Sequence, residues 1–258
     1  MPQSSVPDER LRLLLQRREL MQRVVDGTTD RRELAAESDR SQSTVYRALN
    51  QLEDVGILTE QNGYYDATPV GTRLFTRVQQ LHAEAAVLER VSDTAPVSSL
   101  DGLDPCVLRE ASIAERRRHD PLEPLEPVAE IFERNDEVFA ATPILLPAFE
   151  QFELEAMTEV VVERAALDAS PELLSEDREP VPEYVGVTER EVPFVFVVAE
   201  SDQPECCVVV LDNGSPCVSF QNTSVDAVRW VRDRCLSFRR QSDTLEFDSR
   251  ERQFVPVE

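Results

Sequence analysis

The pattern of apolar and polar positions is most informative between residues 41 and 55. On a helix, the apolar residues of this segment fall on one stripe, at Val45, Ala48, Leu49, Leu52 and Val55. The opposite side carries a hydroxyl, a guanidinium and an amide, from Ser43, Arg47 and Asn50, with Tyr46 beside them. The pattern predicts a helix that is anchored by one face and presents polar groups on the other.

The segments around this helix predict a compact domain. An apolar face predicts a helix over residues 9–25, and Asp30, with Glu33 at the capping-box offset, predicts a short helix to about residue 37. After Gly56, strands at 57–60 and 64–67 flank Asn62-Gly63, a strong hairpin signal. The predicted order of helix, helix, turn, helix and hairpin is that of a winged helix-turn-helix.

A long helix is predicted next, over residues 68–91. Its apolar residues have the spacing of a helix seam and are Leu74, Val78, Leu81, Ala85 and Leu88. Only two heptads are present, and two interpretations remain open: a dimerisation helix, or a face that packs on its own winged domain. A dimer would place two reading helices roughly 34 Å apart on a pseudo-palindromic site.

The second half of the chain predicts an α/β domain. Residues 92–103 are small, polar and Pro/Gly-containing, and we predict a linker there between domains 1–91 and 104–258. Strands are predicted at 106–113, 137–142, 159–163, 184–190, 193–199, 205–211 and 215–220, and helices before 134, at 147–156, from Pro171 and from Thr223 or Ser224. The predicted fold class is a two-domain α+β and α/β protein, with a mixed sheet in the second domain.

Composition narrows the possible functions. The formal net charge is −23, and all 27 basic residues are Arg. This acidic, Lys-free composition resembles that of proteins from halophiles that accumulate salt. Residues 1–91 hold 12 Arg and 14 acidic residues, whereas residues 92–258 hold 15 Arg and 36. The first part can therefore approach a polyanion without large repulsion.

The same composition argues against an enzyme. Without Lys the chain can build neither a Walker A phosphate loop nor a Schiff base. His82 and His119 are the only histidines, and no nucleophile-elbow motif accompanies them. The five cysteines form no CxxC pair and are expected to be buried thiols. We expect no catalytic residues, cofactor or metal, and no membrane segment or leader, which predicts a cytoplasmic protein.

The central helix carries the chemistry needed to read DNA bases. Arg can bond both major-groove acceptors of guanine and Asn can bond adenine, each pair being worth roughly 1–3 kcal/mol of discrimination. The stretch RRELAAESDRSQSTVYRALNQLEDVGILTEQNGYYDATPVGTRL resembles the winged-helix domain of prokaryotic transcription regulators, including the MarR-, IclR- and ArsR-like groups. The resemblance implies that residues 41–50 enter the major groove of double-stranded DNA while the hairpin follows the adjacent backbone.

The candidate DNA-binding residues are Ser41, Gln42, Ser43, Thr44, Tyr46, Arg47, Asn50, Asn62, Gly63 and Tyr64. The residues at the helix N-terminus could also bind phosphate. Three roles have alternatives: Tyr46 could pack on the first helix, Arg47 could contact phosphate instead of a base, and Asn62-Gly63 could be a turn that never touches DNA.

The second half resembles the C-terminal domain of archaeal regulators named after a methanogenesis regulatory protein, and more distantly the sensor domain of TrmB-type regulators. EPVAEIFERNDEVFAATPIL, TEVVVERAALDASPELLSE and VPFVFVVAESDQPECCVVVLDNGSPCVSFQNTSVDAVRWVRDRC carry the resemblance. It implies a haloarchaeal regulator with a sensor or oligomerisation domain.

One basic cluster suggests an effector site in this half. Arg116, Arg117, Arg118 and His119 could bind an anionic small molecule, since Arg forks match phosphate geometry, or could form a solvated loop. The predicted function is a homodimeric, sequence-specific DNA-binding transcription regulator that senses a small molecule. The alternative is a protein–protein interaction module whose winged helix does not bind DNA.

Overall fold

The computed structural model describes residues 6–145, 157–169, 184–248 and 253–256. The chain divides into two compact units, residues 1–85 and 86–258. Each unit contains both helices and strands, and the second is built on a mixed sheet, so the predicted fold class is confirmed.

The first unit has four helices, a hairpin and the start of a fifth helix. In chain order these are α1 Val6–Gln16, α2 Arg18–Val25, α3 Arg31–Ala36, α4 Gln42–Asp54, β1 Leu58–Gln61, β2 Tyr64–Ala67 and α5 Pro69–Val91. The helix predicted over residues 9–25 is divided in two at Arg17, whose φ of −117° and ψ of 23° are not helical.

Local signals explain where these elements begin and end. The Asp30 carboxylate accepts hydrogen bonds from the amides of Arg32 and Glu33 and so caps α3, as its position in the sequence predicted. Ser41 caps α4, and Gly56, at a φ of +72°, lets the chain leave that helix in the left-handed region. These ends fix the length of α4 and the point at which the hairpin begins.

The core of the first unit holds α4 in place. It contains the apolar stripe predicted for this helix together with side chains from every other element of the unit: Leu13, Leu14, Met21, Val24, Leu34, Val45, Leu49, Leu52, Ile57, Leu58, Tyr65, Phe75 and Val78. Leu49 and Leu52 are fully buried, so the orientation of α4 about its axis is set by packing.

The seam predicted along α5 is covered in part by the chain itself. Leu74 and Val78 pack with the core of the first unit, and Leu88 packs with a core of the second. Leu81 remains 58% exposed. Packing on the winged domain is therefore observed only at the Leu74 and Val78 end of the seam, and the dimer interpretation stays a prediction for its exposed middle.

The second unit is organised around one sheet of nine described strands. In chain order the elements are α6 Pro105–Leu108, β3 Ser112–Glu115, α7 Glu126–Arg134, β4 Val138–Thr142, β5 Met157–Glu163, α8 Arg164–Ala169, β6 Tyr184–Thr188, β7 Val195–Ala199, β8 Glu205–Asp212, β9 Ser215–Asn222, α9 Val225–Arg239, β10 Ser242–Asp248 and β11 Gln253–Pro256. Across the sheet the order is β11-β10-β6-β5-β4-β7-β8-β9-β3, and β5 pairs in parallel with β4 and β6 while the other pairs are antiparallel.

Helices cover both faces of this sheet. Along β7, Phe196 and Val198 belong to the core shared with α9, whereas Val195, Val197 and Ala199 belong to the core shared with α7 and α8. This alternation over a continuous apolar run is what a strand buried on both faces requires.

Several predictions for the second half need correction. The strand predicted at 106–113 is helical in its first part, because Asp104 caps α6 and Pro105 occupies its first turn, and the strand begins only at Ser112. Helix α8 and the strands β10 and β11 were not predicted. The helices predicted at 147–156 and from Pro171 lie outside the described residues.

Part of the segment predicted as a linker packs into the second unit. Ala95 and Leu100 are buried in a core of that unit, and the division into two compact units falls within α5. Ser92, Pro96, Ser98 and Gly102 of the same segment are exposed.

Candidate nucleic-acid interface

Helix α4 buries one face and exposes the other, as the sequence predicted. Ser43, Arg47 and Asn50 are exposed, whereas Val45, Ala48, Leu49 and Leu52 are buried. The Arg47 side chain makes no hydrogen bond or ion pair with any described residue. Its guanidinium is therefore available to an external partner.

The hydroxyls at the start of α4 are linked to one another. Ser41 Oγ lies 2.8 Å from Thr44 Oγ1 and 3.2 Å from Ser43 Oγ, and it accepts a hydrogen bond from the Thr44 amide at 3.4 Å. Ser41 and Ser43 are exposed, as is the neighbouring Gln42. The helix thus begins with a group of polar side chains beside its unpaired backbone amides, an arrangement suited to phosphate.

Tyr46 is held between two other polar residues. Its hydroxyl accepts a hydrogen bond from Gln42 Nε2 at 2.6 Å, and the Arg31 guanidinium carbon lies 3.8 Å from its ring centroid, within cation–π range. Tyr46 is partly buried against the core of the first unit and keeps these polar contacts on its other side. Arg31 was not among the predicted residues, since no spacing rule links the start of α3 to the middle of α4.

Asn50 is oriented by the hairpin. Tyr65 donates its hydroxyl hydrogen to Asn50 Oδ1 at 3.3 Å. Burial raises the pKa of Tyr65 above its ordinary value, so the phenol stays protonated and remains a donor. This bond restrains the side chain of Asn50, which is exposed.

The hairpin has the predicted turn and an acidic surface. Asn62 and Gly63 adopt φ values of 55° and 89°, the left-handed conformations of a two-residue hairpin turn. Tyr64 is 52% exposed next to the tip. Glu60 and Asp66 are also exposed and no Arg lies on either strand, so the charged side chains of the two strands are all negative.

The hairpin is tied to α3. The Arg31 amide donates to the Gly63 carbonyl at 3.1 Å, and the Tyr65 amide donates to the Thr29 carbonyl at 2.9 Å. These bonds place Arg31 where the hairpin, α3 and α4 meet.

The basic cluster of the second unit lies on a tight turn. Arg117 and Asp120 exchange backbone hydrogen bonds of 3.0 and 3.1 Å, which places Arg118 and His119 at the tip. Arg116, Arg117, Arg118 and His119 are all exposed. Arg117 pairs with Glu123 at 3.0 Å, with 76% of the arginine side chain exposed.

The described part of the chain contains no group of three or more His, Cys, Asp or Glu placed to hold a metal. All five cysteines are buried, and burial raises their pKa values, for Cys106 and Cys206 to about 12. Thiols held protonated in this way are poor nucleophiles. Within the described ranges, no helix has the length and apolarity needed to cross a bilayer.

The first unit thus has the element order of a winged helix-turn-helix with an exposed polar face on its last helix, followed by an α/β unit. Residues 9–90 match the family model described as the HVO_A0261 N-terminal domain, which covers about a third of the chain. A search of curated proteins gave no significant match.

Solved structures give a distant likeness. The chain is similar to TrmBL2, described as an archaeal chromatin protein that shows a novel mode of DNA binding, at 12% identity over 92% of this chain and 99% of that one. The TM-score is 0.36.

Proposed function

We propose that this chain is a transcription regulator that binds double-stranded DNA in a sequence-specific manner. One observation carries the proposal: Ser43, Arg47 and Asn50 are exposed together on a helix whose other face is locked into the core. An anchored helix of this kind can enter a major groove and hold its side chains in register with the bases.

The polar residues divide into two roles. Arg47 would bond guanine and the exposed Asn50 would bond adenine, giving sequence preference. Ser41, Gln42, Ser43 and Thr44 would contact phosphate at the helix N-terminus and fix its register, with Asn62, Gly63 and Tyr64 at the adjacent backbone. Tyr46, held by Arg31, would form one wall of the reading face.

Two further elements complete the proposed regulator. A cytoplasmic homodimer formed through the exposed middle of α5 would read a two-fold symmetric site. An anionic effector bound at Arg116, Arg117, Arg118 and His119 would change operator affinity. Changing the three arginines to Gln should leave basal operator binding intact and abolish the response to the small-molecule fraction of a cell extract; an unchanged response would remove the effector role.

Genome-wide immunoprecipitation tests the main proposal. We expect the tagged wild-type protein to enrich a limited set of loci that share a sequence motif, and an Arg47→Ala variant expressed at the same level to lose that enrichment. Arg12→Ala, an exposed change on α1, is the matched control and should keep it. Identical enrichment for the wild type and Arg47→Ala would refute the assignment of this helix.

A protein-binding winged helix is the second candidate, and the acidic wing favours it. Glu60 and Asp66 would repel a DNA backbone but suit a basic protein surface. Under this candidate the purified chain would retard no DNA fragment in preference to another.

A further inference from the structure

A cavity of about 320 Å³ lies within the first unit, on the opposite side of α4 from Tyr46. Its walls come from the end of α1, from α2, from the turn before α4, from α4 and from His82 of α5. This volume is at the lower end of the range for small-molecule sites, so it suits a compact ligand.

Four arginines line this cavity: Arg17, Arg18, Arg23 and Arg40. The side chains of the last three make no hydrogen bond or ion pair within the part of the chain that the structure describes. The Arg17 guanidinium donates to Gln51 Oε1 at 3.3 Å.

The charge of the lining is unusual for this protein. The cavity lining contains two acidic residues, Glu19 and Asp39, and neither forms an ion pair with the four arginines. The lining is therefore positive in a chain whose net charge is −23. With 50 acidic residues available, arginines left unpaired around one cavity favour an anion that comes from outside the chain.

The remaining walls define the other end of the ligand. Leu15, Leu20, Val45 and Ala48 contribute apolar surface to these walls. A DNA backbone is continuous and strongly hydrated and would gain little from such a surface. A small molecule with an anionic head and an apolar body matches both ends.

We propose that this cavity binds a small organic oxyanion, a phosphate ester or carboxylate with a compact apolar body. The arginine forks hold the oxyanion and the leucines cover the body. Thr44, Val45 and Ala48 belong to α4, so the occupant touches the helix that carries the reading face. The consequence for DNA affinity rests on the proposed function, whereas the binding of the anion does not.

Calorimetry on the full chain tests the site without DNA. The probe would be phenyl phosphate, with inorganic phosphate as the headgroup alone and benzyl alcohol as the uncharged analogue, all at one salt concentration. Phenyl phosphate should bind saturably with one site per chain, inorganic phosphate more weakly, and benzyl alcohol not at all. In Arg18→Gln/Arg40→Gln the affinity for phenyl phosphate should fall about tenfold or more, because two charge-assisted bonds are lost.

One control makes this result specific. Arg73→Gln removes one exposed arginine of the same unit. It should bind phenyl phosphate as the wild type does, and circular dichroism should show every variant folded. Operator retardation with and without phenyl phosphate then reports the coupling to DNA separately.

Three results would overturn the proposal. They are the absence of saturable phenyl phosphate binding to the wild type, equal affinity in Arg18→Gln/Arg40→Gln, and an equal loss in the Arg73→Gln control. If the double variant keeps its phenyl phosphate affinity but loses affinity for all DNA sequences uniformly, the arginines contact the DNA backbone and the cavity is not a ligand site.

Discussion

Arg47 and Asn50, the two residues of α4 that matter most for base recognition, are positioned in different ways. Arg47 owes its availability to the lack of any partner among the described residues, and its position to the buried Ala48 and Leu49 next to it. Asn50 instead depends on one hydrogen bond from Tyr65. The sequence predicted both side chains as exposed, but the partner of Asn50 depends on how the hairpin packs against the helix.

Tyr65→Phe tests this orientation. Removing the hydroxyl should lower the free energy of unfolding by about 1 kcal/mol and reduce discrimination at the adenine position, because Asn50 is no longer held. Denaturant unfolding and retardation of operator variants measure the two effects. Tyr184→Phe is the control, since it removes a hydroxyl that bonds to Ser242 within the second unit; equal discrimination in the two variants would contradict this role of Tyr65.

Elements whose ends carry explicit signals were predicted well, and elements defined by tertiary packing were not. Asp30, Ser41 and Gly56 mark the ends of α3 and α4 in the sequence, and the structure has them in those roles. The break at Arg17 and the helix α6 interrupt apolar patterns that continue across them, so periodicity alone predicted a single helix and a strand. Arg31 lies on α3 but contacts Tyr46 of α4, and Arg40, in the turn before α4, joins the arginines on and next to α2 at the cavity; only the folded chain brings these residues together.

Leu81→Glu tests whether the exposed middle of α5 forms the proposed dimer. We expect a change from dimer to monomer in light scattering, because a buried charge would face its counterpart across the seam, with unfolding of the chain unchanged. Gln80→Glu introduces the same charge next to Leu81 and should keep the dimer. A wild-type chain that is already monomeric at working salt would contradict a dimer through this helix.

The buried cysteines of the second unit make its stability depend on alkaline pH. The folded thiols have pKa values raised by burial, whereas unfolded thiols ionise near their ordinary value of 9.0. Above about pH 9 the unfolded chain therefore loses protons that the folded chain keeps, and stability falls as pH rises. Full stability is present below that pH.

Cys207→Ala measures how much one thiol contributes to the loss of stability at alkaline pH. Its slope of unfolding free energy against pH above 9 should be shallower than that of the wild type, by a difference approaching about 1.4 kcal/mol per pH unit. Val209→Ala, a cavity-forming change on the same strand and face, should lower stability without changing the slope. A wild-type slope in Cys207→Ala would show that this thiol does not govern the alkaline loss.

The charge of the whole molecule sets the conditions under which it can bind DNA. A net charge of −23 opposes a polyanion, but the 12 Arg and 14 acidic residues of the first 91 nearly balance. At about 1 M salt the Debye length is about 3 Å, so long-range repulsion and attraction are both screened. Binding must then come from direct contacts of α4 with the bases and backbone.

Operator affinity should therefore depend only weakly on salt. We expect a plot of log affinity against log salt concentration with a slope much shallower than that of a basic regulator making several phosphate contacts. Fluorescence anisotropy across a salt series gives the slope. A steep loss of affinity with added salt would mean that phosphate contacts dominate.

The most direct measurement of the central claim is the affinity ratio between a selected operator and its scrambled sequence, for the wild type and for Arg47→Ala. Duplexes enriched from a random pool by the full chain supply the operator, and thermal unfolding verifies that the variant is folded. We predict a large ratio for the wild type and a ratio close to one for Arg47→Ala, at unchanged thermal stability. An equal ratio for both proteins would show that α4 does not read the bases.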